Sequence, residues 1–209
     1  MKPAAITLDY ISEKQQKTQS SRSMQELVEG CIAGDQRCQR QLFRQYRQSV
    51  FSLVYRLLGP GYDLDDIIQQ VFIKVFRSLS GFKGLSSLDT WIYRITSKVC
   101  TDQLRKKYRK RQLDIIDGSD EMIDFVAAPS QYNPDRDMEQ QEISKQVFAA
   151  LEKLSIPKRT VVVMFEMEQM SLDQISEILN LPVGTVKSRL FHARRDLERH
   201  LKRYMENKE

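Results

Sequence analysis

The sequence predicts an all-α protein: two small helical domains joined by a flexible acidic linker, the second ending in a helix-turn-helix. Three observations lead there. Glycine and proline are few (8 and 6 among 209 residues), and apolar residues recur at three- and four-residue steps with no alternating run. The chain is basic, with net charge +5 and pI near 9.1, yet its sign reverses between residues 114 and 142. Finally, Ser171 to Leu201 reads as two helices joined by a tight turn.

Residues 1–23 are polar with scattered apolar side chains, and a disordered arm is expected there. The first domain is expected over 24–112. Leu27, Val28, Cys31 and Ile32 form one amphipathic face, ended near Gly34-Asp35. A second helix is predicted from Gln36 to Leu58, with Leu42, Phe43, Tyr46, Val50, Phe51, Val54 and Leu57 or Leu58 inward, and Gly59-Pro60-Gly61 breaks it. Asp63 suits the N-cap of a third helix, and Asp65 and Asp66 sit in its first turn, where the helix dipole favours acids. That helix packs through Ile67 or Ile68, Val71, Phe72, Val75 and Phe76, leaving Asp65, Asp66, Gln69 and Gln70 on a polar side.

Ser80 to Ser87 is a loop of small residues containing Phe82, Lys83, Leu85 and Ser86. A helix from about Ser87 to Tyr108 follows, with Leu88, Trp91, Ile92, Ile95, Val99 and Leu104 inward. Thr90, Arg94, Ser97, Lys98, Arg105 and Lys106 form a cationic edge beside Trp91 and Tyr93. Two readings of that edge stand level. Cations near a helix C-terminus are favourable by themselves. Charges beside rings and a flexible loop also suit single-stranded nucleic acid, where phosphates meet the cations and unstacked bases the aromatics.

Residues 113–136 are expected to be the linker, with nine carboxylates between Asp114 and Glu142 against Arg136 alone, and with Pro129 and Pro134. The second domain, 137–204, opens with a helix to about Leu154. Another is opened by Pro157, where the run Val161 to Phe165 has strand propensity but no partner strand, so helix is preferred. Ser171 and Gln174 form a capping box. Leu172, Ile175, Ile178 and Leu179 share a face, and Pro182 stops the helix. On the last helix Val186, Leu190, Ala193 and Leu197 make the packed stripe. Thr185, Lys187, Ser188, Arg189, Phe191, His192 and Arg195 lie opposite or on its flanks. Phe191 among cations and hydroxyls fits contact with a thymine methyl in a DNA major groove better than a chance exposed ring.

No catalytic, metal or cofactor site is expected. His192 and His200, the only histidines, share one helix, and no carboxylate pair, phosphate loop or nucleophile motif occurs. Cys31, Cys38 and Cys100 are odd in number and lack C-x-x-C spacing, so free thiols in a reducing compartment are expected. No apolar stretch reaches membrane-span length and no signal-peptide core is present, which gives a cytoplasmic expectation.

The stretches DLDDIIQQVFIKVFRSLSGF, LDTWIYRITSKVCTDQLRK and SLDQISEILNLPVGTVKSRLFHARRDL together resemble bacterial RNA polymerase sigma factors of the extracytoplasmic-function (ECF) group. The resemblance implies a first domain equivalent to region 2. Asp65, Asp66, Gln69 and Gln70 would dock on the clamp of the polymerase largest subunit. Phe82, Lys83, Leu85, Ser86, Trp91, Arg94, Lys98 and Arg105 would hold a base flipped from the melted −10 element. The second domain would be region 4, touching the polymerase flap and reading the −35 duplex through Thr185, Lys187, Ser188, Arg189, Phe191, His192 and Arg195. The likeness also implies an anti-sigma factor as partner. The chain departs from the common family pattern at Gln70, Lys98 and His192, where relatives often carry Glu, Asn and Arg. The alternative from the residues alone is a stand-alone helix-turn-helix regulator, with 24–112 as a sensor or dimerisation domain.

Overall fold

The structure is a computed structural model that describes residues 23–117 and 134–206, all of whose regular elements are helical. The expected disordered arm and the middle of the expected linker lie outside the described residues. Helix α1 (residues 23–32) buries Leu27, Val28 and Cys31, while Ile32, expected inward, is half exposed at its C-terminal end. Helix α2 (Gln36–Leu58) starts where Asp35 accepts a hydrogen bond from the Arg37 amide at 2.7 Å. It buries Leu42, Tyr46, Val50, Val54, Leu57 and Leu58 of the predicted stripe and adds Leu53, while Phe43 and Phe51 are only half-buried at its edges. Helix α3 (Leu64–Ser78) is capped by Asp63, which accepts from the Asp66 amide at 3.0 Å, and both Ile67 and Ile68 are buried.

Gly59 is needed between α2 and α3 for two reasons. Its φ of +79° is the left-handed region, and a Cβ there would sit 3.1 Å from the Phe148 ring. A 3-10 turn (Leu79–Gly81) then leads to α4 (Leu88–Asp117). This helix runs past the predicted end at Tyr108, because no glycine or proline interrupts it before Gly118. Helix α5 (Pro134–Glu152) begins at the proline that suits a first helical turn. Both flanks of the acidic stretch are therefore helical.

Helix α6 (Ile156–Val162) passes into a π-helical turn (Val163–Met167), so the Val161–Phe165 run is helical, as its neighbours required. Helices α7 (Leu172–Leu179) and α8 (Val183–Glu206) complete the chain. In the first half α2, α3 and α4 pack on one another; in the second, α8 packs on α5, α6 and α7.

The halves also share a seam, which periodicity gave no sign of. Helix α4 packs on α6 and α7, and α2 on the π turn, so buried residues of both halves form one continuous cluster. Phe148 sits edge-on to Tyr55 at 5.2 Å between ring centres. Across the seam Lys107 pairs with Glu152 at 3.2 Å, and Arg94 Nη2 donates to the Glu177 carbonyl at 2.8 Å.

Candidate nucleic-acid and protein interfaces

The helix-turn-helix is built from local hydrogen bonds. The Ser171 hydroxyl accepts from the Gln174 amide at 3.2 Å, and the Gln174 side chain accepts from the Ser171 amide at 2.8 Å, completing the predicted capping box. Asn180 closes α7 in the left-handed conformation, φ +52°, a role asparagine tolerates. The Leu181 amide returns to the Ser176 carbonyl at 3.0 Å, and the Ser176 hydroxyl donates to the Leu181 carbonyl. The amides of Thr185 and Val186 both reach the Pro182 carbonyl, which starts α8 directly after the turn.

On α8, Val186, Leu190 and Ala193 are buried and Leu197 is half-buried, the predicted stripe. Lys187, Ser188, Phe191 and Arg195 are exposed; Thr185, Arg189 and His192 are half-buried. The Phe191 ring is 63% exposed and lies edge-on to His192 at 5.4 Å. Arg194 is drawn away from this face. Its Nε donates to Glu166 at 2.6 Å, and its guanidinium stands 5.1 Å from the Phe165 ring centre. Lys158 donates to Asp196 at 2.6 Å, which ties α8 to α6 and holds the Asp196 carboxyl below its ordinary range.

On α3, Asp65, Asp66 and Gln69 are exposed, whereas Gln70 is half-buried. Gln70 Nε2 donates to Asp66 at 2.7 Å, and its carbonyl accepts from Gln103 of α4 at 3.1 Å. Gln70 therefore fixes the Asp66 side chain and links α3 to α4. Ile73, one turn on and half exposed, extends the same face with an apolar contact that sequence reasoning missed. An isoleucine inside an apolar helix gives no sign of facing outward.

The loop before α4 presents Lys83 and Leu85, the latter 91% exposed, with Ser86 half-buried. Phe82 and Trp91 are not free rings: they pack on each other at 5.5 Å, tilted by 58°. Arg94, Lys98 and Arg105 are exposed along α4, and Arg105 approaches Asp102 at 3.4 Å. Thr90 and Ser97, expected on the cationic edge, are buried instead. Thr90 takes part in the start of α4, where the Ser87 hydroxyl donates to it at 2.9 Å. Ser97 lies under the C-terminal half, in a groove shared by Arg94, Lys98, Arg105, Leu181 and Arg189. The seam thus brings one residue of the expected duplex-reading set, Arg189, beside three of the expected single-strand set.

Among the described residues, no cluster of three or more His, Cys, Asp or Glu side chains could hold a metal. None of the described helices is long and apolar enough to cross a membrane.

Residues 42–110 match the family model Sigma-70 region 2, and residues 144–197 match Sigma-70, region 4. The chain is similar to the ECF RNA polymerase sigma-E factor of Escherichia coli strain K12, with 34% identity over 176 residues, 83% of this chain and 92% of the relative. The Haemophilus influenzae ECF RNA polymerase sigma-E factor is 32% identical over 183 residues, covering 87% of this chain and 96% of the relative. The fold resembles that of CnrH, solved in complex with the cytosolic domain of CnrY, with a TM-score of 0.58 at 22% identity over 84% of this chain and 95% of that one. It also resembles the sigma factor RpoE of Bartonella quintana, solved with the anti-sigma factor NepR, with a TM-score of 0.57 at 24% identity over 78% of this chain and 96% of that one. A stand-alone regulator would not account for matches to both regions in this order. With both halves matched to their own region and sigma-E relatives aligned along most of its length, the chain belongs to the sigma-70 family, in its ECF group, whose members direct transcription initiation rather than catalyse a reaction.

Proposed function

We propose that this sigma factor joins the core polymerase in the cytoplasm and recognises promoters with two surfaces of different chemistry. Helix α8 reads the −35 element as duplex, through Thr185, Lys187, Ser188, Arg189, Phe191, His192 and Arg195. The loop Phe82–Leu88 and the edge of α4 hold the −10 element as single strand, through Lys83, Leu85, Ser86, Arg94, Lys98 and Arg105, with Phe82 and Trp91 as packed support. Asp65, Asp66 and Gln69, aided by Gln70 and Ile73, meet the polymerase clamp, and region 4 meets the flap. The observation that carries this reading is the division of α8, whose buried Val186, Leu190 and Ala193 leave Phe191 exposed among Lys187, Ser188 and Arg195.

The energetics require both surfaces. Major-groove contacts alone do not open DNA, whereas each unstacked base that is trapped contributes about 1–3 kcal/mol, similar to the stacking it replaces at about 1.4 kcal/mol. The groove along Arg94, Ser97 and Lys98 is occupied on one side by Leu179 and Leu181, so engagement of the −10 strand requires the halves to part on the polymerase. By analogy with the sigma factor RpoE, solved with the anti-sigma factor NepR, we infer an anti-sigma partner here.

Run-off transcription with core polymerase on a genomic promoter library, followed by permanganate footprinting, tests this reading. Start sites are expected to share two spaced elements, and Lys83→Ala with Leu85→Ala should lose −10 thymine reactivity while −35 protection persists. Promoter opening that is indifferent to those substitutions, or failure to copurify with core polymerase, would refute it.

A further inference from the structure

Three side chains run in line from α4 to α3. Gln103 Nε2 donates to Gln70 Oε1 at 3.1 Å, and Gln70 Nε2 donates to Asp66 Oδ2 at 2.7 Å. Chemistry fixes the direction of this relay. An ionised carboxylate only accepts, so Gln70 must turn its NH2 group to Asp66 and its carbonyl away. Whatever faces that carbonyl must then donate. Asp66 at one end thus sets the polarity of both amides, and the obligation to donate falls on position 103.

The backbone at both ends is held without these bonds. On α3, Asp63 caps the Asp66 amide, and Ile67 and Val71 are buried; on α4, Cys100 and Leu104 on either side of Gln103 are buried. The relay is therefore not what joins the two helices. It restrains rotation: the Asp66 carboxylate is exposed on a rotatable stem, whereas Gln70 and Gln103 are half-buried. A carboxylate held in one orientation before docking has less freedom to lose when a partner meets it.

We propose that Gln103 is a positioning residue for the polymerase-binding face of α3: through the Gln70 amide it holds the Asp66 carboxylate in the orientation that docks. This rests on the reading of Asp66 as a clamp contact. Reversing the polarity at position 103 has a definite consequence. Gln103→Glu accepts and cannot donate, so it draws the Gln70 NH2 group toward α4 and leaves the Gln70 carbonyl facing Asp66. Two acceptors then oppose each other, and the carboxylate swings out of place. Gln103→Met, of similar length, does not invert the amide and only releases the restraint.

Competition binding of the full-length chain to core polymerase, against a fluorescent wild-type chain, tests this. Gln103→Met is expected to weaken core binding by about fivefold and Gln103→Glu by about tenfold or more. Both should melt within about 4 °C of wild type, since position 103 is not in the core. In the Gln70→Met background the relay is cut, so Gln103→Glu should add less than about twofold. Should Gln103→Glu melt early, Gln103→Met with the same Gln70→Met comparison carries the test. The inference is overturned if both position-103 variants bind core as wild type does while Asp66→Ala binds more weakly. It is equally overturned if the effect of Gln103→Glu is undiminished beside Gln70→Met, the mark of a through-space charge. Asp66→Ala binding as wild type does would instead remove the clamp reading, and the inference with it.

Discussion

Glu168, at the end of the π turn, joins two residues of α2: its Oε1 accepts a hydrogen bond from Ser52 Oγ at 2.9 Å and forms an ion pair with Arg56, whose Nη1 lies 3.1 Å away. The carboxylate is 7% exposed, so its two partners replace water it has lost. Glu168→Ala leaves the Arg56 and Ser52 donors without their shared acceptor across the seam. A loss of about 1–3 kcal/mol is expected, at the lower end because Arg56 remains about one-third exposed. Small-angle scattering should show a larger radius of gyration for the variant, and an unchanged radius would exclude this role.

The three thiols should differ in reactivity. Burial pushes Cys31 up to about 11 and Cys100 up to about 12, so neither carries appreciable thiolate at pH 8. Cys38 is half-buried. A thiol-specific reagent at pH 8 should therefore label Cys38 first, with Cys31 and Cys100 reacting only when denaturant unfolds the chain. Rapid native labelling of Cys100 would contradict the packing of α4.

Asp196 should make the fold acid-sensitive. The hydrogen bond from Lys158 lowers its carboxyl below the ordinary range, reinforced by the charges of Lys158, Arg199 and Arg195. The unfolded chain then binds this proton more readily than the folded one. Its contribution is present above the unfolded value of about 3.9 and is lost as pH falls through the lower folded value. Asp196→Asn should lower the urea midpoint at pH 7, and the gap from wild type should shrink on descending below about pH 4. A gap independent of pH would mean the pair does not act through ionisation.

Phe191 separates binding from folding. Since its ring is mostly exposed, Phe191→Ala should change stability by no more than about 0.5 kcal/mol. Loss of a methyl or sugar contact should nonetheless weaken −35 recognition in holoenzyme by about tenfold. His192→Arg should strengthen recognition where a guanine faces it, because arginine can pair both guanine acceptors. Promoter selection assays with randomised −35 sequences read both effects.

The elements carrying strong local chemistry were readable from the sequence. Asp63 and Ser171 cap helices where their oxygens can reach free amides, and the α8 stripe follows from periodicity alone. What was not readable depends on long-range contact. Thr90 and Ser97 look like surface residues on a cationic helix, yet Ser97 lies beneath the second half and Thr90 is buried, its hydroxyl accepting from Ser87. Arg159 gave no signal either, because nothing in PKRTVVVMF distinguishes a buried guanidinium from a solvated one. The π turn likewise has no local signature in a run of valines.

The Arg94–Glu177 and Arg56–Glu168 contacts carry a consequence for any affinity measured on the whole chain. A ligand that needs the α4 edge uncovered meets only the fraction of molecules whose halves have parted. Its observed dissociation constant is the intrinsic one divided by that fraction. Weakening the Arg56–Glu168 contact should tighten such binding without touching the surface that makes it, since neither residue lies on the α4 edge.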